Sequence, residues 1–249
     1  MLTRAAFSQG RGAGSVGFET DEFGDGTGSP ISESGVSDTW AAVAATFVVF
    51  SVAFGGGWWL GGQVGFGLLI ALAFAGLGIV LFTAFKPTTS PLTAPLYAVV
   101  EGLFVGGISR YYETAYDGIV LQAGLLTASI YAGMWFMYAS GRLRVTPKLR
   151  KVIVSATMGI MVTYLLSWVL RAFGSSIPFL HSSGPIGIGI SLVIVGIASL
   201  NLLLDFDYID KLNRHPHERW QDWYAAMGLL ITVVWIYLEI LRLLSKLRD

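Results

Sequence analysis

A bundle of seven membrane-spanning helices is the fold class the sequence predicts, and three observations predict it. Hydrophobic residues fill 54% of the 249 positions, while Asp, Glu, Lys and Arg together fill only 13%, about half the charged share of a soluble domain. The charges are unevenly placed, leaving long stretches with almost none, and about 18 such residues are enough to span a bilayer. Short linkers with turn-forming residues separate the stretches: Lys86-Pro87-Thr88-Thr89, Gly141, Gly174-Ser175-Ser176 and, between the first two, Gly55-Gly56-Gly57.

The apolar runs cover roughly residues 40–60, 64–85, 92–109, 118–140, 152–173, 185–209 and 223–245. Lipid offers no hydrogen-bond partner to a backbone, so each run is a helix or part of a closed barrel. Runs of this length without strict alternation favour helices. Several carry small residues four apart, such as Gly61/Gly65 and Gly102/Gly106. These allow close helix packing, and ordinary packing is the reading adopted for them.

Residues 1–38 differ from the rest. They are rich in Gly and Ser and hold Glu19, Asp21, Glu22, Asp25, Glu33 and Asp38 against Arg4 and Arg11. Such a segment buries too little apolar surface to offset its ordering entropy. It reads as a disordered acidic tail, followed by a transmembrane domain over 39–249. It lacks the apolar core of a signal peptide near its start.

Orientation follows from Lys and Arg. With seven spans, the N-terminal side carries Arg4, Arg11, Lys86, Arg142, Arg144, Lys148, Arg150, Lys151, Lys211, Arg214 and Arg219. The other side carries Arg110, Arg171, Arg242, Lys246 and Arg248. This bias predicts a cytoplasmic N-terminus and an external C-terminus. The basic loop 141–151 supplies most of it and also suits anionic headgroups.

Several function classes recede at this stage. Net charge is zero, so nothing points to nucleic acid. Without cysteine there are no disulfides or thiolate metal sites. His215-Pro-His217 reads as a solvated loop, since two histidines do not complete a metal site. No P-loop, GxSxG or HExxH motif occurs. An intramembrane enzyme would need a nucleophile–base pair or a metal cluster, and neither is visible, so the chain is not expected to be an enzyme.

Charge inside the spans is the functional signal, because a centrally placed charge costs about 2.5–3.5 kcal/mol on insertion scales. Glu101 lies in the middle of the third run, as a pathway group or as a buried acid bonded to a neighbouring helix. Asp205 and Asp207 lie near the end of the sixth run. Two residues apart is about 200° on a helix, so they face opposite ways. Asp205 shares a face with Asn201 one turn earlier and is read as interior; Asp207 is placed at the headgroup edge. Glu239 lies deep in the seventh run, with Arg242 three residues on and on the same face; an intrahelical pair is the plain alternative there. Depth argues against an easy meeting of Asp205 and Glu239. Glu239 is about 16 residues, or roughly 24 Å, into its helix from the side where Asp205 sits.

These residues resemble the Bax inhibitor-1 family, particularly its bacterial Bax-inhibitor-like branch. The likeness spans about 91–246 and rests on APLYAVVEGLFVGGIS (94–109), SGRLRVTPKLRK (140–151), NLLLDFDYID (201–210) and WYAAMGLLITVVWIYLEILRLL (223–244). The resemblance implies a seven-helix fold with the last helix central, ringed by the first six. It also implies a proton-sensitive calcium leak governed by one acidic residue on each of the last two helices. Asp205 matches the first; Glu239 matches the second, where the calcium-leak members carry Asp. On this basis Asp205 and Glu239 are the expected proton-sensing pair and the candidate Ca²⁺ ligands, with Glu101, Asp207, Asn201 and Arg242 in support.

Two carboxylates sharing a low-dielectric site titrate as a unit, and their hard oxygens suit Ca²⁺. No cofactor is expected, and the resemblance implies Ca²⁺ as the transported ion. The expected setting is a prokaryotic plasma membrane, with the lipid bilayer as the immediate partner. A second reading, also drawn from relatives, is a non-conducting regulatory partner of a membrane protease or stress-response complex, contacted through the acidic tail. The sequence leaves the oligomeric state open.

Overall fold

In a computed structural model the described residues are 36–63, 65–174 and 182–249. The predicted tail lies outside them as far as residue 35, as does His181. The described residues form seven α-helices: α1 (Val36–Gly61), α2 (Phe66–Phe85), α3 (Ser90–Ala115), α4 (Ile119–Ala139), α5 (Pro147–Ala172), α6 (Pro185–Asn213) and α7 (Arg219–Arg248). A 3₁₀ turn at Pro87–Thr89 joins α2 to α3. All seven are long and apolar enough to cross a membrane, and no strand occurs among the described residues.

Most helices run past the apolar stretches that announce them, and local capping sets the early starts of α5 and α7. Thr146 accepts a hydrogen bond from the Leu149 N–H at 3.2 Å, with Pro147 in the first turn, so α5 starts five residues before its apolar run. Glu218 and Gln221 form a capping box that starts α7 at Arg219. The expected turn at Gly55–Gly57 is not there: α1 continues through it to Gly61. These glycines serve packing instead. A Cβ on Gly57 would collide with the Leu103 carbonyl, and one on Gly106 with the Phe54 carbonyl. Gly61 backs onto Gly107, and Gly102 onto Phe50 and Ala53. The α1–α3 seam is thus a backbone-to-backbone contact of the small-residue kind; Gly65 takes no part, having open space around it.

The last helix is central. It packs against α1, α3, α4 and α6, and it buries Leu229, Leu230, Leu241, Ile236 and Ile240. The ring around it is incomplete. α2 packs on α3, and α5 packs on α6, so these two lie outside. Each has only a thin buried seam: Leu69, Gly76 and Thr83 on α2, Ile153 and Ser167 on α5. Large apolar side chains point outward instead, among them Val52, Leu92, Leu121 and Leu165, all more than 60% exposed. Apolar cover of this extent marks a membrane surface.

Contacts between loops show an alternating path. At one end Thr39 of α1 bonds Asp222 of α7, and Ser90 of α3 bonds the Trp220 carbonyl. At the other, Arg248 donates to the Asp117 carbonyl and Gln122, and Asp249 meets Tyr116. The start of α1 and the end of α7 therefore lie at opposite ends of the bundle.

Candidate functional site

Glu239 is 2% exposed and sits in a closed triangle. The Tyr164 hydroxyl of α5 donates to its Oε2 at 2.7 Å. The Arg242 guanidinium donates to the same Oε2 at 2.7 Å and to the Tyr164 oxygen at 2.6 Å. The guanidinium also lies over the Tyr164 ring, 5.0 Å from its centroid, a cation–π contact. The i,i+3 pair, the alternative reading of this position in the sequence, is formed, and a tyrosine from another helix joins it. Oε1 has no hydrogen-bond partner and is sealed from solvent.

Asp205 is placed elsewhere. Its Oδ1 lies 3.9 Å from where a Cβ on Gly228 would be, and the Thr232 hydroxyl is beside its carboxylate. Gly228 and Thr232 precede Glu239 by eleven and seven residues, which is about 10–16 Å along the helix. The expected Asp205–Glu239 pair is therefore not made. The reason is the helical depth already visible in the sequence: α6 descends past α7 and presents Asp205 two to three turns before Glu239. One Ca²⁺ ion cannot be held by both carboxylates in this arrangement. Asp205 Oδ2, like Glu239 Oε1, is buried with no hydrogen-bond partner.

The supporting residues divide. Asn201 donates to Thr157 of α5 and to the Ile197 carbonyl, both at 2.9 Å, so it ties α6 to α5 rather than assisting Asp205. Asp207 accepts from Arg150 and Lys211, both at 2.6 Å, as suits a residue at the membrane edge. Glu101 is 9% exposed and faces α2. Its Oε2 would lie 2.7 Å from a Cβ on Gly76, so the absence of a side chain there makes its room. No hydrogen bond or ion pair joins any two of Glu101, Asp205 and Glu239 among the described residues. No group of three or more His, Asp or Glu close enough for a metal occurs among them either.

Three polar groups inside the fold escaped the sequence reading. Tyr164 looks like any aromatic in an apolar run. Lys246, counted as an external charge, is buried and donates to the Gly187 carbonyl at 3.1 Å and to Ser191 at 2.9 Å. His215 is exposed, as a solvated loop would have it, but His217 is buried. His217 Nε2 meets Asp222 Oδ1 at 2.8 Å. An acid in the first turn of α7, five residues beyond the histidine, was the available signal.

A family model described as Bax inhibitor 1 like matches residues 12–249. A search of curated proteins finds no match to the chain.

Proposed function

Because the chain belongs to the Bax inhibitor 1 like family, we propose that this membrane protein is a proton-sensitive calcium leak channel whose acidic sites, Asp205 and Glu239, act in series along the last helix. The observation carrying this reading is that Asp205 Oδ2 and Glu239 Oε1 are both buried without a hydrogen-bond partner. Buried polar atoms are normally satisfied, and those left over call for a functional account. Within a membrane span, an acidic group with an open oxygen is a default pathway candidate. A proton or a Ca²⁺ ion supplies what the protein does not, since Ca²⁺ favours hard carboxylate oxygens.

The triangle at Glu239 suggests how a proton acts. Ionised Glu239 holds Arg242 and Tyr164 through charge-assisted bonds, and protonation weakens them. Among the described residues the hydrogen bonds from α5 to α7 run through Tyr164, and α5 otherwise packs on α6. Loosening the triangle frees the peripheral helix from the central one. The basic loop 141–151 supports an N-terminal side in the cytoplasm by the positive-inside bias.

The test is Ca²⁺ flux into dye-loaded liposomes containing the full chain, across pH 5.5–8.5. Glu239→Gln and Asp205→Asn are each expected to shift or flatten the pH profile. Flux and profile unchanged in both variants would overturn the reading.

A further inference from the structure

The end of the bundle that holds the start of α1 carries an ionisable cluster unrelated to Asp205 and Glu239. His217, in the short loop before α7, is held from both sides. Its Nδ1 is 3.0 Å from the His215 carbonyl oxygen, and its Nε2 is 2.8 Å from Asp222 Oδ1. The same Oδ1 receives the Thr39 hydroxyl of α1 at 2.5 Å. The His217 and Asp222 side chains are 4% and 1% exposed, and Thr39 is fully buried. Asp222 also lines a pocket of about 430 Å³ with Asp38, Arg219 and Trp223, which gives protons a route to the cluster.

A neutral imidazole carries one N–H and one lone pair. Here both ring nitrogens face acceptors, a carbonyl and a carboxylate. Either neutral tautomer leaves a lone pair opposed to a lone pair, and only the imidazolium satisfies both sides. Other groups bear on the balance. Asp38 of α1 and Arg219 of α7 share the pocket wall with Asp222, and Tyr208 of α6 is close enough to feel the Asp222 charge. Asp38 favours the imidazolium, and Arg219 opposes it.

We propose that His217 is a proton-operated latch that fastens the first turn of α7 to the start of α1 through Asp222 and Thr39. Protonated His217 holds Asp222 in place to receive Thr39. Loss of the proton turns a charged bond into a repulsive contact and releases α1 from α7. Burial alone would favour the neutral ring, but the His215 carbonyl, the Asp222 carboxylate and the Leu212 backbone outweigh it, so His217 is held above the ordinary histidine value. A raised value contributes stability that is complete below the unfolded histidine value, about 6.5. That stability is lost as pH rises through the folded value. The latch is therefore closed in acid and opens toward alkaline pH. It does not depend on the leak reading, because it needs only the fold.

The experiment uses the full chain in lipid nanodiscs. Nitrogen-15 imidazole shifts read the protonation of His217, and hydrogen exchange over 38–46, corrected for intrinsic rate, reads the hold on α1. The expected result is an imidazolium at pH 6.5 and a loss of α1 protection as His217 deprotonates. That loss is about tenfold for each unit by which the histidine is raised. His217→Gln is expected to abolish the pH step. Thr39→Val is expected to leave the histidine titration in place while uncoupling α1 from it. A neutral His217 at pH 6.5 in the wild-type chain, or an α1 step that persists in His217→Gln, overturns the latch. The wild-type spectrum decides even if a variant fails to fold.

Discussion

At the residue scale, the charges were legible and their partners were not. Glu101, Asp205 and Glu239 stand out in apolar runs because charge in lipid is costly. Arg242 followed from helical spacing. Tyr164 did not, since an aromatic in a span carries no signal until tertiary placement sets it against Glu239. His217 was missed for a related reason: a histidine beside proline in a polar loop gives no hint of burial. Tyr164→Phe removes two hydrogen bonds, one donated to Glu239 and one accepted from Arg242, and should lower stability by about 1–3 kcal/mol, measured as the thermal unfolding midpoint in detergent. Arg242→Met should cost more, because it leaves the Glu239 charge buried and unpaired. The cost should stay below the about 3–5 kcal/mol of a fully buried pair, since the arginine side chain is 38% exposed. Adding Glu239→Gln should recover part of that loss. Equal midpoints for Arg242→Met with and without the second change would mean that the pair is not the source of the cost.

At the element scale, hydropathy located every helix but not the ends or the seams. Capping chemistry sets the starts of α5 and α7 outside the apolar runs. Thr146→Ala should therefore cost about 0.5–2 kcal/mol in the same assay. The glycines of α1 and α3 were readable as close-packing residues, yet Gly55–Gly57 also imitate a turn, and only the opposing Leu103 carbonyl shows which use prevails. Gly106→Leu should prevent α1 from seating, seen as loss of the monodisperse folded species on size-exclusion chromatography. Gly133→Leu, at a position with open space, should elute as the wild-type chain does. If both behave alike, the seam does not hold the two helices together.

At the scale of the whole molecule, the seven spans and the central last helix agree with the sequence and with the family it resembles. The outer positions of α2 and α5 were not legible, because a helix apolar on all sides does not reveal which neighbours it has. The alternating path puts the start of α1 and the end of α7 at opposite ends. In a chain without native cysteine, a single cysteine in the loop at 141–145 should react with an impermeant thiol reagent only after cells are opened. One at Asp117 should react from outside. The reverse pattern would invert the orientation drawn from the basic loop.

The separation of Asp205 from Glu239 is the central structural claim about the leak, and a double-mutant cycle on Ca²⁺ flux tests it most directly. Flux is measured in liposomes carrying wild type, Asp205→Asn, Glu239→Gln or both. Sites in series without a shared proton should act nearly independently, with log-rate changes that add to within about 0.5 kcal/mol in free-energy terms. A coupling well above that would contradict the account, because it would show that the two carboxylates meet in the conducting state.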